Sequence, residues 1–294
     1  MNIQKSFADA AASGVGSLYL VATPIGNLED MTFRAIRTLK EVQLIAAEDT
    51  RQTRKLLTHF EIPTRIVSYH EHNKRASGPE LVRLLLEGQS IALVSDAGLP
   101  AISDPGADLV KEAIENDIPV IPIPGANAAL SALIISGLPT DRFLFAGFPP
   151  REKKSLTKWL QEMQGQAGTL LFYESPHRIS KTLVILGEVL GDRQIACIRE
   201  LTKRHEEAIR GTISECIDWF EEHPPQGEFC VVVEGAGGIG ASEQPAAVIW
   251  WKDLDLAAHV AHYEEQYDRK EAIKRAALDR GLPKRDVYNE VNRG

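Results

Sequence analysis

The sequence predicts an α/β protein with two α/β domains and a small C-terminal helical appendix. Between residues 17 and 137, short apolar segments rich in β-branched residues alternate with amphipathic segments of helical length. This alternation is typical of a mostly parallel sheet with crossover helices. A second series of such segments lies between residues 151 and 236, and helical periodicity without strand-like segments follows from residue 251. A length of 294 residues and a hydrophobic content of 44% allow the chain to bury a large core.

In the first domain, 17–137, the apolar segments predict strands and the segments between them predict helices. The predicted strands are 18–21, 44–47, 65–68, 91–95 and 119–122. Asp30 is expected to cap the first helix, in which Phe33, Ile36 and Leu39 recur at the spacing of one buried stripe. Residues 1–16 are rich in Ala, Ser and Gly and are expected to form a flexible tail.

The pattern changes after residue 137. Residues 138–150 predict a linker strand with three phenylalanines, closed by two prolines. The second domain, 151–236, is expected to contain the strands and helices 169–173, 179–190, 194–199, 212–222 and 229–234. Pairing of residues 206–210 with these strands would make the second sheet mixed rather than all parallel.

The last part of the chain predicts a separate helical appendix. Glycine-rich and polar composition indicates a flexible linker at 237–250, and the appendix at 251–294 is expected to contain helices 254–267, 269–280 and 284–292. From Arg269 onward, basic residues outnumber acidic ones. This face is either a contact surface for RNA or an ordinary solvated helical face, and His259 and His262 are expected at the surface.

Composition limits the function classes. A net charge of −8 argues against a protein that coats nucleic acid by charge alone, so any nucleic acid would meet a local basic patch. No stretch approaches the roughly 18–20 apolar residues of a membrane span, and we expect a cytoplasmic protein without membrane contact. Three cysteines without CxxC spacing support neither a disulfide framework nor a zinc site, and His70 with His72 lacks a third ligand nearby in sequence. We therefore expect no metal.

Three predicted strands end in loops rich in Pro, Gly, Asp and Asn, at residues 22–27, 96–106 and 122–128. Ligands of open α/β sheets bind beyond the carboxyl ends of the strands, so these loops should converge on one crevice. GxGxxG after the first strand and GxxxxGK[ST] are both absent, which disfavours the usual dinucleotide and P-loop sites. Asp96 and Asp104, the latter beside Pro105, would bind hydroxyl or amino groups of a nucleoside-like ligand and would attract a sulfonium or amine.

Five motifs occur in fixed order along the chain. They are Val21-Ala22-Thr23-Pro24-Ile25-Gly26-Asn27-Leu28, Ala47-Glu48-Asp49-Thr50-Arg51, Ser95-Asp96-Ala97-Gly98 with Ser103-Asp104-Pro105-Gly106, Phe172-Tyr173-Glu174-Ser175-Pro176-His177-Arg178 and Arg199-Glu200-Leu201-Thr202-Lys203. Together they resemble the tetrapyrrole methylase superfamily, and within it the ribosomal RNA methyltransferase group. The resemblance spans residues 18–235. The chain departs from the corrin and porphyrin methylases where these show Gly-Asp-Pro and Gly-Pro-Gly turns, which favours the RNA group.

The resemblance implies two α/β domains that bind S-adenosylmethionine in an interdomain cleft, usually in a homodimer. It further implies methylation of the ribose 2′-hydroxyl of a cytidine in the decoding region of small-subunit (16S) ribosomal RNA, which the overall acidity suggests is met within the assembled 30S subunit. The residues expected around the cofactor, with Asp104 and Pro105 of the loop above, are Pro24, Ile25, Asp96, Ala97, Gly98, Leu99, Asn127, Ala128, Tyr173, Glu200 and Glu228.

A ribose hydroxyl is a poor nucleophile at neutral pH, so a general base would accelerate methyl transfer by about 10² to 10⁴-fold. The candidates are Glu174 and Asp49, which follow predicted strands, and a desolvated Lys203. Cations expected to bind RNA phosphates, or alternatively to form intramolecular ion pairs, are Arg51, Arg178, Lys270, Arg275, Lys284 and Arg285.

Two other functions compete with this hypothesis. A methylase of a small tetrapyrrole, a porphyrin or corrin precursor, would share the cofactor site but not the acceptor. A binding factor without enzymatic activity would retain the cleft alone. The basic appendix and the cations near the motifs favour RNA, because a macrocycle would not need several phosphate-binding groups.

Overall fold

The computed structural model describes residue 4 and residues 14–237, 251, 254–265, 267–280 and 282–291. These residues belong to two compact units, which divide after residue 238. The linker predicted at 237–250 and the tail predicted at 1–16 lie almost entirely outside the described residues. None of the described helices is long and apolar enough to cross a bilayer.

The first sheet of the larger unit is parallel throughout and has the strand order β3-β2-β4-β1-β5. Its strands are β1 (Leu18–Val21), β2 (Leu44–Ala47), β3 (Ile66–Ser68), β4 (Ile91–Val94) and β5 (Val120–Ile123). The helices that follow them are α1 (Phe33–Glu41), α2 (Thr50–His59), α3 (Lys74–Leu86), α4 (Gly106–Glu115) and α5 (Ala128–Ser136). Strands β2 and β4 are buried at every position, as expected for a parallel sheet covered on both faces.

This strand order decides where the three predicted loops meet. Strand β1 lies between β4 and β5, so the loops that leave these three strands are neighbours at one edge of the sheet. An open parallel sheet binds its ligand at this edge, where the strand order changes direction. The convergence expected from the sequence is therefore confirmed.

The second sheet is mixed, as the sequence predicted, with the order β6-β7-β10-β8-β9. Only the β6–β7 pair is parallel. The strands are β6 (Phe143–Phe145), β7 (Thr169–Glu174), β8 (Gln194–Arg199), β9 (Glu207–Thr212) and β10 (Phe229–Val233), and the helices are α6 (Lys153–Met163), α7 (Ile179–Leu190) and α8 (Ile213–Glu222). These three helices bury one face of the sheet around Phe172 and Val231.

Helix α5 covers the other face of the second sheet. Ala129, Ala132 and Leu133 pack against Leu171 and Val232 in one apolar cluster. The helix follows a strand of the first sheet but packs on the second, so it joins the two halves of the unit. An apolar helix with almost no polar face suits this position.

The smaller unit contains α9 (Leu256–Glu264), α10 (Arg269–Arg280) and α11 (Lys284–Val291). Leu256, Val260, Ile273 and Val287 form its core. His259 is fully buried, so its predicted surface position is wrong. Its Nε2 lies 3.1 Å from Asp279 Oδ2, and its Nδ1 accepts a hydrogen bond from Arg280 Nε at 3.0 Å.

The start of α1 also differs from the prediction. Thr32, not Asp30, caps the helix, because its hydroxyl accepts a hydrogen bond from Ala35 N at 3.1 Å. Phe33 is 95% exposed, and the buried face is formed by Ala35, Thr38 and Leu39. The spacing of three used for the predicted stripe drifts off the core face of a helix with 3.6 residues per turn, and Phe33 lies on the wrong side of the first turn.

Candidate functional site

A cavity of about 820 Å³ lies between the loops of the first sheet and the strand ends of the second. The first sheet contributes the residues Ile25, Glu48, Ser95, Asp96, Ala97, Gly98, Leu99, Ile102, Ser103, Asp104, Asn127 and Ala128. The second sheet contributes Phe148, Arg151, Tyr173, Glu174, Ser175, His177, Arg178, Ile198, Glu200, Leu201, Lys203, Glu228, Phe229 and Cys230. This volume lies within the range of small-molecule and cofactor pockets, about 300–1,000 Å³.

Backbone hydrogen bonds fix the loops that form the floor of the cavity. Thr23 N donates to Gly98 O at 2.9 Å, and Gly98 N donates to Thr23 O at 3.0 Å. Gly98 has φ +78°, which favours glycine, and a Cβ atom there would lie 3.4 Å from Ile25 Cγ2. The loops are therefore held in place before a ligand arrives.

Asp96 and Asp49 have different roles. Asp49 N donates to Asp96 Oδ1 at 3.0 Å and thereby orients the Asp96 carboxylate at the cavity. The Asp49 carboxylate accepts from Arg51 Nε at 3.1 Å and Nη2 at 2.8 Å, and these hydrogen bonds lower the pKa of Asp49 to about 2. Asp49 and Arg51 do not line the cavity, and in the described structure they satisfy each other.

Two further carboxylates line the same wall. Burial raises the pKa of Glu48, and the negative charges of Asp96 and Asp104 raise it further. Burial also raises the pKa of Asp104, although its Oδ1 accepts hydrogen bonds from Ala101 N at 2.9 Å and Gly106 N at 2.7 Å. Asp104 Oδ2 is buried without a hydrogen-bond partner among the described residues. Ala101 adopts a left-handed backbone, with φ +69°, so this loop stores conformational strain beside the cavity.

Lys203 is held by two glutamates. Its Nζ lies 3.0 Å from Glu200 Oε1 and 3.5 Å from Glu228 Oε2. Burial lowers the pKa of Lys203, but the hydrogen bonds and charges of both glutamates outweigh burial and raise it. Lys203 is therefore an ammonium ion that fixes the glutamates, which argues against its predicted role as a neutral base.

Glu174 is buried and fully engaged. It is 3% exposed, its Oε1 accepts from Ser175 N at 2.8 Å, and its Oε2 accepts from Thr182 Oγ1 at 2.7 Å. Arg178 Nη2 approaches the same Oε2 at 3.4 Å and donates to the carbonyl oxygens of Pro149 at 3.0 Å and Pro150 at 2.8 Å. Through these contacts, Glu174 and Arg178 hold the loop at 146–152 in position.

The structure brings most of the predicted site residues together. Among the expected cofactor residues, Pro24 and Pro105 do not line the cavity, whereas Ile25, the Asp96–Leu99 segment, Asp104, Asn127, Ala128, Tyr173, Glu200 and Glu228 do. Lys270, Arg275, Lys284 and Arg285 belong to the smaller unit. The sequence analysis missed Glu48, Phe148, Arg151 and His177. Glu48 stands next to Asp49 at the same strand end, so the signal that selected Asp49 could also have selected its neighbour.

The charge distribution defines what this cavity can bind. Glu48, Asp96 and Asp104 make the first wall acidic. The opposite wall has mixed charge: Arg178 and Lys203 are paired with Glu174, Glu200 and Glu228, and Arg151 and His177 lie beside these pairs. Among the described residues, none of the three carboxylates of the first wall forms an ion pair, and such a wall suits a ligand that carries positive charge. No group of His, Cys, Asp and Glu in the described ranges is arranged to hold a metal ion.

Comparisons with known proteins agree with this geometry. The sequence profile of the family Tetrapyrrole (Corrin/Porphyrin) Methylases matches residues 17–217. A Halalkalibacterium halodurans protein named Ribosomal RNA small subunit methyltransferase I is 58% identical over 275 residues, covering 93% of this chain and 94% of its own length. The Bacillus subtilis protein of the same name is 55% identical over 278 residues, covering 94% of both chains.

Solved structures show the same fold at low sequence identity. A diphthine synthase structure superposes with a TM-score of 0.58 at 13% identity, covering 74% of this chain and 90% of that chain. Cobalt precorrin-4 methyltransferase superposes with a TM-score of 0.55 at 12% identity, covering 79% of this chain and 97% of that chain. The predicted fold class is confirmed. With its profile match over most of its length and relatives named Ribosomal RNA small subunit methyltransferase I at more than 50% identity, the chain belongs to the tetrapyrrole methylase family, as its five motifs indicated.

Proposed function

We propose that this chain is an S-adenosylmethionine-dependent methyltransferase of small-subunit ribosomal RNA, and that it methylates the ribose 2′-hydroxyl of a cytidine in the decoding region. The observation that carries the proposal is the cavity with two unlike walls. Carboxylates without an ion-pair partner among the described residues suit a cationic methyl donor on the first wall, whereas Arg151 on the second wall suits a phosphate of RNA beside the paired groups of Arg178 and Lys203. The names of the relatives, which match nearly the whole chain, support the choice of ribosomal RNA.

The methyl donor is S-adenosylmethionine, which supplies, when bound, a methyl group on a positively charged sulfur. The residues present fit this molecule, because the cavity has sufficient volume and faces it with Glu48 and Asp96. The fixed backbone at Gly98 allows close approach of a flat nucleoside, as a side chain there would narrow the gap to Ile25. Asn127 and Ala128, at the start of α5, would border the same molecule.

Positioning is the main task of the protein. Holding the acceptor oxygen in line with the methyl group, about 3–3.5 Å away, supplies much of the acceleration of such a displacement. The hydrogen bonds between Thr23 and Gly98 and the bridge from Lys203 to both glutamates fix the cavity walls for this purpose.

Glu48 is the carboxylate that the geometry favours as general base. The three predicted bases already have partners: Asp49 is bound to Arg51 outside the cavity. Lys203 and Glu174 line the cavity, but Lys203 is paired with two glutamates and Glu174 accepts hydrogen bonds from Thr182 and Ser175. Glu48 lines the cavity, and no ion pair joins it to a cation among the residues that the structure describes. Its raised pKa also makes it a better proton acceptor for a hydroxyl than an ordinary surface glutamate.

The cellular setting belongs to the same proposal. The net charge of −8 favours a substrate in which ribosomal proteins offset the phosphate charge, so the assembled 30S subunit is the proposed partner rather than naked RNA. We propose that the protein acts in the cytoplasm as a homodimer. The cations Lys270, Arg275, Lys284 and Arg285 of the smaller unit are proposed contacts to ribosomal phosphates.

The decisive experiment incubates the purified protein with radiolabelled S-adenosylmethionine and 30S subunits that lack this modification, and maps the label by nuclease digestion and mass spectrometry. Methylation of one ribose in the decoding region is expected. Label on a base, at another site or only on an added porphyrin or corrin precursor would refute the proposal. The absence of transfer to any acceptor, with donor binding intact, would favour a binding factor.

A further inference from the structure

An exposed phenylalanine lies at the mouth of the cavity. Phe148 is 62% exposed and lines the cavity, and its ring centroid lies 5.3 Å from that of Tyr173. The Tyr173 ring in turn lies 5.0 Å from Phe145 in an edge-on contact. Phe148 is therefore the outermost ring of a row of three, with most of its surface open to solvent.

The backbone that carries Phe148 is rigid. Gly147 has φ +71°, and its carbonyl oxygen accepts from Tyr173 N at 2.9 Å. On the other side, the carbonyl oxygens of Pro149 and Pro150 both accept from Arg178 Nη2. Fixing an exposed ring before binding removes part of the entropy cost of ordering it later.

A buried carboxylate supports this loop from below. Glu174 Oε2, which accepts from Thr182, lies 3.4 Å from the same Arg178 nitrogen that holds the two prolines. The series Thr182, Glu174, Arg178 connects the interior of the second half to the loop. It gives a structural role to the buried Glu174 carboxylate and its partly exposed partner Arg178, which the methyl-transfer step does not need.

From the end of the loop into α6, four basic residues stand against one exposed carboxylate, Glu152. Arg151 lines the cavity, and exposed Lys153, Lys154 and Lys158 follow in the first two turns of the helix. Lys153 Nζ lies 3.6 Å from Glu188 Oε2, and Lys158 Nζ lies 3.9 Å from Glu162 Oε1. Both ion pairs are solvent-exposed and therefore contribute little to stability. A phosphate chain that passes over the loop would meet these cations directly after Phe148.

We propose that Phe148 stacks on a nucleobase of the RNA substrate while Arg151 and the α6 lysines contact its phosphates, and that Glu174 and Arg178 are positioning residues for this platform. The inference rests on the proposed function and adds how the RNA is recognised. Aromatic rings combined with basic grooves are the general means by which proteins bind single-stranded nucleic acid. The adenine of a bound methyl donor would be a second flat ring for Phe148 to stack on, but the lysines that follow Phe148 on α6 suit a polyanion.

The test compares Phe148→Ala and Phe148→Trp with wild type on unmodified 30S subunits. Stacking on an aromatic ring predicts that Phe148→Ala raises KM for the subunits by about 5- to 150-fold, with a smaller effect on kcat. Phe148→Trp should restore KM to within a few-fold of wild type. Phe33→Ala is the matched control, because Phe33 is a 95% exposed phenylalanine outside the cavity, and it should leave KM unchanged.

Calorimetry with S-adenosylmethionine alone distinguishes stacking of Phe148 on an RNA base from stacking on the adenine of the donor. Unchanged donor affinity in Phe148→Ala is expected. The inference would be overturned if Phe148→Ala left KM for the subunits unchanged, whether or not donor affinity fell. It would also be overturned if Phe148→Trp failed to restore KM. Wild type that transfers no methyl group to RNA would instead overturn the proposed function, so the two failures are distinguishable.

A double-mutant cycle tests the positioning role. Glu174→Gln should raise KM for 30S subunits in the wild-type background and have little further effect in the Phe148→Ala background, because the platform is already lost. Equal effects in both backgrounds would show that Glu174 does not act through Phe148. A large loss of kcat in both backgrounds would return Glu174 to the list of general bases.

Discussion

The buried contact between Thr182 and Glu174 offers a test of the support beneath the cavity loop. Thr182→Val keeps the shape of the side chain and removes only the hydroxyl that donates to Glu174 Oε2 at 2.7 Å. The carboxylate retains the hydrogen bond from Ser175 N and the contact with Arg178. A hydrogen bond to a charged group contributes about 1.5–3 kcal/mol, and the 2% exposure of Thr182 means that water cannot replace the hydroxyl without rearrangement.

The expected destabilisation is therefore about 1.5–3 kcal/mol, and the melting temperature should fall by about 3–12 °C in a unit of this size. Scanning calorimetry of wild type and variant measures this shift. Thr58→Val is the matched control, because the Thr58 hydroxyl donates to Arg54 O within an exposed helix turn, and its loss should change stability by less than about 0.5 kcal/mol. A Thr182→Val protein with the melting temperature of the control would refute the view that Glu174 depends on this hydroxyl.

Three further predictions concern the donor, the base and the smaller unit. Asp96→Ala should weaken the binding of S-adenosylmethionine, measured by calorimetry, about 10-fold or more. Asp49→Ala, which alters a carboxylate outside the cavity, should weaken binding less, and equal losses would contradict the assignment of Asp96 to the cavity wall. Glu48→Gln should lower kcat by about 100-fold or more, with a smaller loss of donor affinity than Asp96→Ala shows. Because the pKa of Glu48 is raised from 4.5, wild-type activity should fall as the pH drops through that raised value, and an unchanged kcat in the variant would remove Glu48 as the base. Burial lowers the pKa of His259 below 6.5, so its contribution to stability is present above pH 6.5 and is lost as the pH falls through the folded-state value. Hydrogen exchange should therefore show that residues 254–291 unfold more readily at low pH in wild type, and that this effect is smaller in His259→Gln. An identical pH dependence in both proteins would contradict this expectation.

Much of the fold could be predicted from sequence because its strands are short, buried and β-branched. The strands predicted at 18–21, 44–47 and 194–199 match the structure at both ends, and those predicted at 65–68, 91–95, 119–122, 169–173 and 229–234 differ from it by one residue at one or both ends. The start of α1 was mispredicted because Asp30 and Thr32 are both good caps, and only the local backbone decides between them. His259 was misplaced because a histidine between apolar residues has no sequence signal that distinguishes a buried network from a solvated face.

The location of the site was predictable, but the role of each charged residue was not. The strand-end loops identified the cavity because strand order brings β4, β1 and β5 together. Glu48 and Asp49 are equivalent in sequence, yet successive side chains at a strand end point to opposite sides, so only one faces the cavity. Glu174 resembles a catalytic carboxylate in sequence, and only its contacts with Thr182 and Arg178 indicate a supporting role.

Helix α5 has a consequence for how ligands enter and leave. Asn127 caps this helix through Leu130 N at 2.8 Å and lines the cavity, while the Arg210 guanidinium of the second sheet donates to Ile135 O near the opposite end of the helix at 2.6 Å. Any opening of the two sheets as rigid bodies would have to pull this apolar helix away from the strands on which it lies. The spent donor and the modified product should therefore leave through small movements of the loops around the cavity, while the two sheets keep their relative position from one turnover to the next.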